Sequence, residues 1–409
     1  MDVIEELKKA SLMVLARGVS KDVLLKAALS VLALMSAENV QAFDSLTTRW
    51  TFGAHEPITM YRRKGGRTTG GIEGGSKWVA DWLNWFDTES PKLMKELGLN
   101  WCHCRFYKGM GWEFEKRDFP NVKRFVDAAH ANGVGTLAYI QFMTLYYENM
   151  LAEIPNLRDW AARDHEGNMM YYYGGGYYRW VPCISCDEWI DYLVPIMRFA
   201  VTEGGFEGVM FDNAFSRHCH CERCQRKFRE HLAKLPHAAE RLGFADLRFV
   251  LIPPDTALGA AEIKDALVQE WLFWRHGQMN DIFAKFRREL KKANPNAVLS
   301  CNSQGARNPR GMRGLCVNVP ELLKNLDLYI AQNGDYPNYD TAKDQIRGRC
   351  RVSLFRRRRN HLGRRDSHRQ RHRCLPARVQ QELDTERSLQ RQILGEEAMK
   401  VLLAGSIKA

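Results

Sequence analysis

The 409-residue sequence lacks the features that mark several large protein classes. No GxGxxG follows the first predicted strand and no GxxxxGK[ST] occurs, so the usual phosphate-binding loops of nucleotide-binding sheets are missing. No apolar run reaches the roughly 20 residues that a membrane-spanning helix needs, and we expect no membrane partner. Eleven cysteines are too sparse for a disulfide scaffold. The 45% hydrophobic content instead indicates a globular protein with a large core.

Lysine and acidic residues are almost missing from one segment. Residues 347–378 contain thirteen arginines, no lysine and one acid, Asp366, so this segment carries a charge of +12. The whole chain has the same formal net charge of +12, and the remaining residues are therefore neutral together. A neutral globular part argues against general binding of polyanions, and we expect no nucleic-acid partner for it.

Residues 346–409 form an Arg-rich, irregular tail, in which residues 347–378 follow neither the helical nor the strand period. One interpretation is a disordered basic arm that binds nucleic acid. The other is a frame-shifted stretch, because abundant Arg, His and Gln without Lys are typical of GC-rich codons read in the wrong frame. An ordinary pattern returns in EEAMKVLLAGSIKA. We favour the frame shift and predict that the true gene encodes two further βα units here.

The first 49 residues form a separate N-terminal extension. Residues 27–37 are an apolar run that follows Lys21 and Lys26 and precedes the small-residue sequences MSA and VQA. This order is typical of a signal peptide and predicts an exported protein. The alternative is an amphipathic helix packed on the main domain of a cytoplasmic protein.

Residues 50–345 alternate strand-length apolar runs with longer helical patterns, which is typical of a parallel α/β sheet. One predicted helix spans residues 77–97 and another spans residues 121–132, before a glycine stop at Gly133. We predict an incomplete (β/α)8 barrel, and its last two units should fall where the Arg-rich segment begins. Its six recognisable strands are residues 57–62, 99–107, 133–142, 206–213, 297–302 and 326–333.

The fourth predicted strand ends in two short polar residues, Asp212 and Asn213. Barrel enzymes place their chemistry at this carboxyl end of the strands, although an Asp-Asn pair can also cap the next turn. Further polar residues end the neighbouring strands, and aromatic-rich loops such as YYYGGGYYRW suit stacking on sugar faces. We therefore predict a carbohydrate partner. The other predicted substrate-binding residues are Arg105, Gln141, Asn302, Gln332 and Asn333.

Cys219, Cys221 and Cys224 form a CxCxxC motif directly after this strand. Three thiolates within six residues can surround one tetrahedral zinc ion, and a fourth ligand would close a structural site. The alternatives are three thiols without a metal or, in an exported protein, a disulfide between Cys219 and Cys224. The candidates for the fourth ligand are Cys183, Cys186, Cys104, His218 and His220.

Residues 99–232 resemble the TIM-barrel glycoside hydrolases, including the family-42 β-galactosidases. The matching segments are AHANGVGTLAYIQF, IPNLRDWAARDHEGN, YRWVPCISCDEWIDYL and EGVMFDN with CHCERCQRKFREHL. Family-42 enzymes have a four-cysteine zinc site of similar spacing, and this resemblance favours Cys183 as the fourth ligand. In relatives that cleave α-linkages a strand-four Asp is the nucleophile, and Asp212 matches it.

The second carboxyl that hydrolysis requires is less clear in this sequence. Strand six carries Gln332 where a Glu would be expected, so Asp335 is the candidate general acid and Glu148, after strand three, is the second candidate. Three functions therefore compete. The chain is a glycoside hydrolase, a carbohydrate-binding barrel without an acid, or a zinc-stabilised protein that binds nucleic acid through its Arg-rich tail.

Overall fold

The computed structural model describes residues 43–44, 47–52, 88–172, 179–255, 262–303 and 313–331, and three short strands between residues 338 and 355. Its strands are β1 (Trp50–Phe52), β2 (Trp101–Tyr107), β3 (Gly135–Gln141), β4 (Leu145–Tyr146), β5 (Arg179–Trp180), β6 (Gly208–Asp212), β7 (Val298–Ser303), β8 (Leu328–Ala331), β9 (Asn338–Asp340), β10 (Gln345–Arg347) and β11 (Leu354–Phe355).

The central sheet has the order β1-β2-β3-β6-β7-β8-β11. Its first six strands are parallel and form a curled half-barrel, which confirms the predicted incomplete (β/α)8 barrel. The register pairs Gln141 with Asp212, and Phe211 with Cys301. The carboxyl ends of the strands therefore lie together at one edge. The two other sheets among the described residues are the antiparallel pairs β4–β5 and β9–β10.

Alternate residues of each strand face two different apolar layers. Trp101, Leu137, Tyr139, Met210 and Ile330 belong to the smaller of the two clusters. The residues between them contribute to the larger cluster under the helices. Because both faces are covered, the strands read as nearly continuous apolar runs rather than as alternating ones.

The helices α1 to α9 lie between and beyond these strands. The longest, α8 (Ala266–Ala293), begins after Asp265, whose side chain accepts hydrogen bonds from the amides of Leu267 at 2.8 Å and Val268 at 3.1 Å. Phe286 of this helix stacks on Phe211 of β6 at 4.6 Å. In chain order, α1 to α9 span Ser90–Glu96, Trp112–Glu115, Phe119–Ala131, Tyr147–Glu153, Asp187–Thr202, Glu222–Leu232, Ala238–Leu242, Ala266–Ala293 and Val319–Leu322.

The helix predicted at residues 121–132 is α3, and it ends before Gly133, as predicted. Gly133 has φ 70°, a left-handed conformation that glycine adopts without strain, and the amide of Val134 donates back to the carbonyl of Ala129 at 2.9 Å. Among the described helices, none combines the length and the apolar content needed to cross a membrane.

Two predicted elements of the barrel's first unit fall partly or wholly outside the described residues. The strand predicted at residues 57–62 lies there, and the first described strand of the sheet is β1, somewhat earlier in the chain. Of the helix predicted at residues 77–97, only the last part is described, as α1. The signal-like run at residues 27–37 also lies outside the described residues.

The Arg-rich segment contributes β11, which pairs with β8. The pairing is antiparallel, with Leu354 opposite Ile330 and Phe355 opposite Tyr329. A seventh barrel strand would run parallel to the sixth, as β8 does to β7. β11 therefore does not have the direction of the missing barrel strand.

We expect residues 347–378 to be dispensable for the folded unit, because their sequence has no apolar period with which to build a core. The encoding DNA around codons 346–395, read in all three frames, is expected to reveal two βα units. Deletion of residues 347–378 should leave the urea unfolding midpoint nearly unchanged, because it removes from the central sheet only the two-residue pairing of β11 with β8. If the DNA confirms the present frame and the deletion abolishes folding, the frame-shift interpretation is wrong.

Candidate active site and cysteine cluster

The Asp212 carboxylate is held by one side chain from each neighbouring strand, β3 and β7, and by the side chain of the next residue. Asp212 ends β6 and is 8% exposed. Its Oδ2 accepts hydrogen bonds from the Tyr139 hydroxyl and from Asn213 Nδ2, the latter at 2.7 Å, and its Oδ1 accepts one from Asn302 Nδ2 at 2.7 Å. These donors are all neutral. They fix the carboxylate as a hydrogen-bond acceptor at the mouth of the half-barrel.

The structure brings three of the predicted substrate-binding residues to this carboxylate. Asn302 also accepts from the backbone amide of Asn213 at 2.6 Å, so Asn302 and Asn213 orient each other. Asn213 has φ 57°, a left-handed conformation that asparagine tolerates better than most residues. With its amide turned to satisfy its neighbours, Gln141 donates to Asp212 Oδ2 at 3.1 Å and accepts from Thr144 Oγ1 at 3.1 Å.

Two residues next to Asp212 were missed by the sequence analysis. Tyr139 donates to the carboxylate, and Lys108 Nζ donates to the Tyr139 hydroxyl at 3.2 Å. Lys108 is only 3% exposed. The available signal was position, because Tyr139 lies two residues before Gln141 and therefore on the same face of β3, and Lys108 directly follows β2.

Arg105, another predicted substrate-binding residue, is buried and forms an ion pair. Its Nε donates to Asp118 Oδ2 at 3.2 Å. Asp118 lies in the short 3-10 helix that follows α2. The pair ties the end of β2 to the loop beyond it.

Aromatic side chains from the predicted sugar-stacking loops lie close together. Tyr147 stacks on Trp180 with ring centroids 4.5 Å apart. The buried Arg179 guanidinium lies 4.7 Å from the ring centroid of Tyr146 and 5.6 Å from that of Tyr172. These contacts join the β4–β5 pair and α4 into one aromatic wall.

Of the two candidates for the second carboxyl, Glu148 lies among the described residues and Asp335 does not. Glu148 lies in the first turn of α4 and is exposed. Gln332, Asn333 and Asp335 lie outside the described residues.

The four predicted metal-binding cysteines, Cys183, Cys219, Cys221 and Cys224, form one cluster. Their sulfur atoms all lie within 4.8 Å of one another, and Cys183 Sγ is 3.9 Å from Cys221 Sγ and 3.4 Å from Cys224 Sγ. A tetrahedral ion with metal–sulfur distances of about 2.3 Å requires sulfur atoms roughly 3.8 Å apart. The cluster therefore fits a single metal ion.

Groups around the cluster stabilise negatively charged sulfur. The amide of Arg163 donates to Cys219 Sγ at 3.3 Å. Hydrogen bonds among the four thiols hold the pKa of Cys221 well below its ordinary value and raise the pKa values of Cys219 and Cys224 well above theirs, so the four sulfur atoms share one negative charge unless a cation binds them. Ser185 Oγ lies 3.3 Å from Cys224 Sγ and links it to the buried Arg275 guanidinium. These groups suit thiolates bound to a cation.

The other candidates for a fourth ligand have different surroundings. Cys186 lies 3.2 Å from a Glu188 oxygen, and His220 lies 3.5 Å from Asp255. His218 accepts a hydrogen bond from Trp271 Nε1 at 2.9 Å. Cys104 is buried within β2.

Arg275 connects the cluster to the segment that follows Asp212. It donates to the hydroxyl of Ser216 and, at 3.0 Å, to the carbonyl of Arg217. These two residues lie between Asn213 and the first cysteine of the motif. The cluster and Arg275 therefore anchor the loop that begins at the Asp212 carboxylate.

Glu115 is a buried carboxyl near the end of β2. Its oxygens accept hydrogen bonds from the backbone amides of Lys108 and Met110, each at 2.6 Å. Burial nevertheless raises the pKa of Glu115 to about 8. Glu115 is therefore a structural carboxyl whose ionisation opposes folding.

We expect Glu115 to make the protein less stable as pH rises from about 5 to about 8. The pKa of Glu115 is raised in the folded protein to about 8 from its usual value of 4.5. The contribution of Glu115 to the free energy of unfolding is therefore fully present below the usual pKa and is lost as pH rises through about 8. The effect is on the order of a few kcal/mol. Urea unfolding of the parent and of Glu115→Gln across this range is the measurement.

The free energy of unfolding should fall less steeply with pH in Glu115→Gln than in the parent. This difference does not depend on how stable the variant is at any one pH. Glu113→Gln changes an exposed carboxyl of the same helix and serves as the matched control. Equal slopes in the parent and in Glu115→Gln would contradict the expectation.

Comparison with known proteins identifies the fold class. No protein-family model and no curated protein matches the chain. The cold-adapted β-galactosidase from Rahnella sp. R3 has a TM-score of 0.51 at 17% identity, and the match covers 74% of this chain and 41% of that one. The catalytic domain of the β-amylase from Paenibacillus polymyxa has a TM-score of 0.50 at 11% identity, covering 73% and 80%.

These likenesses show that the chain has the barrel fold of glycoside hydrolases. The expected resemblance to such barrels is thus confirmed at the level of the fold. The chain spans about two fifths of the length of the β-galactosidase that it matches.

Proposed function

We propose that the protein hydrolyses a glycosidic bond with Asp212 as the nucleophile. The observation that carries this proposal is the position of Asp212, at the carboxyl end of a central barrel strand, with an ordered ring of amide and hydroxyl donors. Barrel enzymes place their catalytic groups at this end. The surrounding amides and aromatic rings suit the hydroxyls and faces of a sugar.

In the proposed reaction Asp212 Oδ1 attacks the anomeric carbon of the sugar. The glycosidic carbon–oxygen bond breaks, and a second carboxyl gives its proton to the leaving oxygen. Water then attacks the same carbon and releases Asp212 as a carboxylate, while the second carboxyl takes the proton of that water. Asp335 is the proposed acid and Glu148 the second candidate. In a retaining enzyme the acid would lie about 5 Å from Asp212.

Asn213, Asn302 and Gln141 are the proposed sugar-binding groups close to Asp212, because each already lies within hydrogen-bond distance of the carboxylate or of its partners. Gln332 and Asn333 complete the proposed set of sugar-binding groups. Arg105, whose charge is balanced by Asp118, would support the set indirectly by tying β2 to the 3-10 helix that contains Asp118.

We also propose that Cys183, Cys219, Cys221 and Cys224 bind one structural zinc ion. Four sulfur ligands leave no open position, so zinc here would stabilise the loop rather than activate water. The Ser185–Arg275–Ser216 contacts support this assignment, because they extend from the cluster toward Asn213.

The alternative function is a carbohydrate-binding barrel that does not cleave its ligand. One observation favours it: among the residues that end the six parallel strands in the described part of the chain, Asp212 alone carries a carboxylate. A single carboxylate can bind sugar hydroxyls but cannot serve as both nucleophile and acid.

A panel of aryl α- and β-glycosides separates the two functions. The hydrolase is expected to release the aryl alcohol from at least one member of the panel. Sugar binding without release by a version with the restored reading frame would favour the carbohydrate-binding barrel. If that version neither binds nor cleaves any sugar, both proposals are wrong.

A further inference from the structure

Arg275 places a buried guanidinium group between the cysteine cluster and the loop that follows β6. It lies on α8 and is 0% exposed. Its Nη1 donates to Ser185 Oγ at 3.3 Å and to Gln278 Oε1 at 2.9 Å. Its Nη2 donates to the Ser216 hydroxyl and, at 3.0 Å, to the carbonyl of Arg217. Each of these acceptors is an uncharged oxygen.

The anions that face Arg275 come from sulfur rather than from carboxylates. A guanidinium group keeps its positive charge inside a protein, so its burial is costly without a nearby anion. Within the described part of the chain, no carboxylate bonds to Arg275. Against the effect of burial, four thiols raise its pKa: Cys316, Cys224, Cys183 and Cys219. Three of these thiols belong to the cysteine cluster.

Ser185 connects the guanidinium group to the cluster through one hydroxyl. Its oxygen accepts hydrogen bonds from Arg275 Nη1 at 3.3 Å and from Gln278 Nε2 at 3.0 Å. These bonds occupy both lone pairs of the oxygen and leave its single proton. Cys224 Sγ and Gln278 Oε1 both lie 3.3 Å from the hydroxyl oxygen. Because a metal-bound sulfur atom can only accept, metal binding favours donation of this proton to Cys224.

Arg275 is also the cation near the cluster that water screens least. A zinc ion with four thiolate ligands carries two excess negative charges, which require cations nearby when they are buried. Arg223 faces the cluster as well, but its side chain is partly exposed to water. Lys227 is paired with Asp187 at 2.8 Å. The fully buried guanidinium of Arg275 therefore interacts with the bound ion's ligands in the lowest dielectric.

We propose that Arg275, acting through Ser185, is a positioning residue that raises the affinity of the cysteine cluster for zinc. This inference rests on the proposed zinc site. The positive charge of Arg275 and the hydroxyl donor of Ser185 both stabilise metal-bound sulfur atoms more than metal-free thiols. Zinc binding is therefore stronger when this connection is intact.

The test measures zinc affinity in the full-length protein by competition with a chelator of known affinity. Arg275→Met removes the charge and is expected to weaken zinc binding about ten- to hundredfold, as is usual for a residue that supports a metal ligand. Arg275→Lys keeps a positive charge and should lose less affinity. Ser185→Ala removes the connecting hydroxyl and should also weaken binding. Added to Arg275→Met, it should cause little further loss, because both changes interrupt one connection.

Two control variants separate the charge of Arg275 from packing around it. Arg287→Met removes another guanidinium group of α8, one that pairs with Asp327 at 2.9 Å, and should leave zinc affinity unchanged. Cys316→Ser alters the thiol outside the cluster that faces Arg275 and should not weaken zinc binding. If Cys316→Ser loses as much affinity as Arg275→Met, packing rather than charge sets the affinity and the proposal is overturned.

The outcomes also separate this inference from the zinc site itself, and none of them depends on turnover. A parent that binds no zinc would overturn both. A parent that binds zinc no more tightly than Arg275→Met would overturn this inference alone. If circular dichroism shows that Arg275→Met does not fold, the conservative variant Ser185→Ala decides, and parental zinc affinity in Ser185→Ala would overturn the proposal.

Discussion

Asp212→Asn is expected to lower kcat on the best aryl glycoside by about three orders of magnitude or more. The amide has nearly the same size as the carboxylate, so the barrel should remain folded and sugar binding should persist. Its nitrogen would, however, face either the donors of Tyr139 and Asn213 or the donor of Asn302, and the amide cannot form the ester. The measurement is steady-state kinetics on a version with the restored reading frame.

Two controls make this result specific. Asp159→Asn changes an exposed carboxyl elsewhere and should keep the parental rate. Asp212→Gly should recover part of its activity when azide is added, because azide can attack from the space that the carboxylate leaves. If Asp212→Asn is as active as its parent, the assignment is wrong and Glu148 becomes the residue to examine.

The second large effect concerns the cysteine cluster. The purified protein is expected to contain one zinc ion per chain, and Cys221→Ser should lose most of it. Loss of the ion leaves sulfur atoms packed within 4.8 Å of one another without the cation that holds them together. The unfolding midpoint should fall clearly in Cys221→Ser, and a chelator should lower the midpoint of the parent in the same way.

Cys186→Ser provides the matched control for this prediction. Cys186 is as buried as Cys183 and lies three residues from it, but its thiol contacts Glu188 rather than the cluster. Its replacement should leave the zinc content unchanged. A well-folded parent without zinc, or a Cys221→Ser variant with the parental zinc content, would refute the metal site.

The sequence predicted the parallel half-barrel because its buried strands are short, mainly apolar runs that alternate with longer helical patterns. The segment EGVMFDN illustrates this, since Gly208–Asp212 forms the central strand β6 where the pattern placed it. Strand β1 was not among the predicted strands, because three residues are too few for a sequence period to show.

Part of the site was predictable for a similar reason. Asp212, Asn213, Gln141 and Asn302 follow or end predicted strands, and parallel strands bring such residues to one edge. Lys108 was not predictable, because its interaction depends on how a long side chain folds back over Tyr139. Sequence pattern carries no information about that geometry.

Strand β1 lies at one end of the seven-stranded sheet. In a closed barrel its outer backbone groups would bond to the last strand, but in the described part of this chain no strand pairs with that side. An edge of this kind is a template for any extended peptide, including the same edge of another copy. A barrel whose β1 edge is unpaired should therefore associate at a lower protein concentration than a closed one, and the concentration at which dimers first form would report on barrel closure.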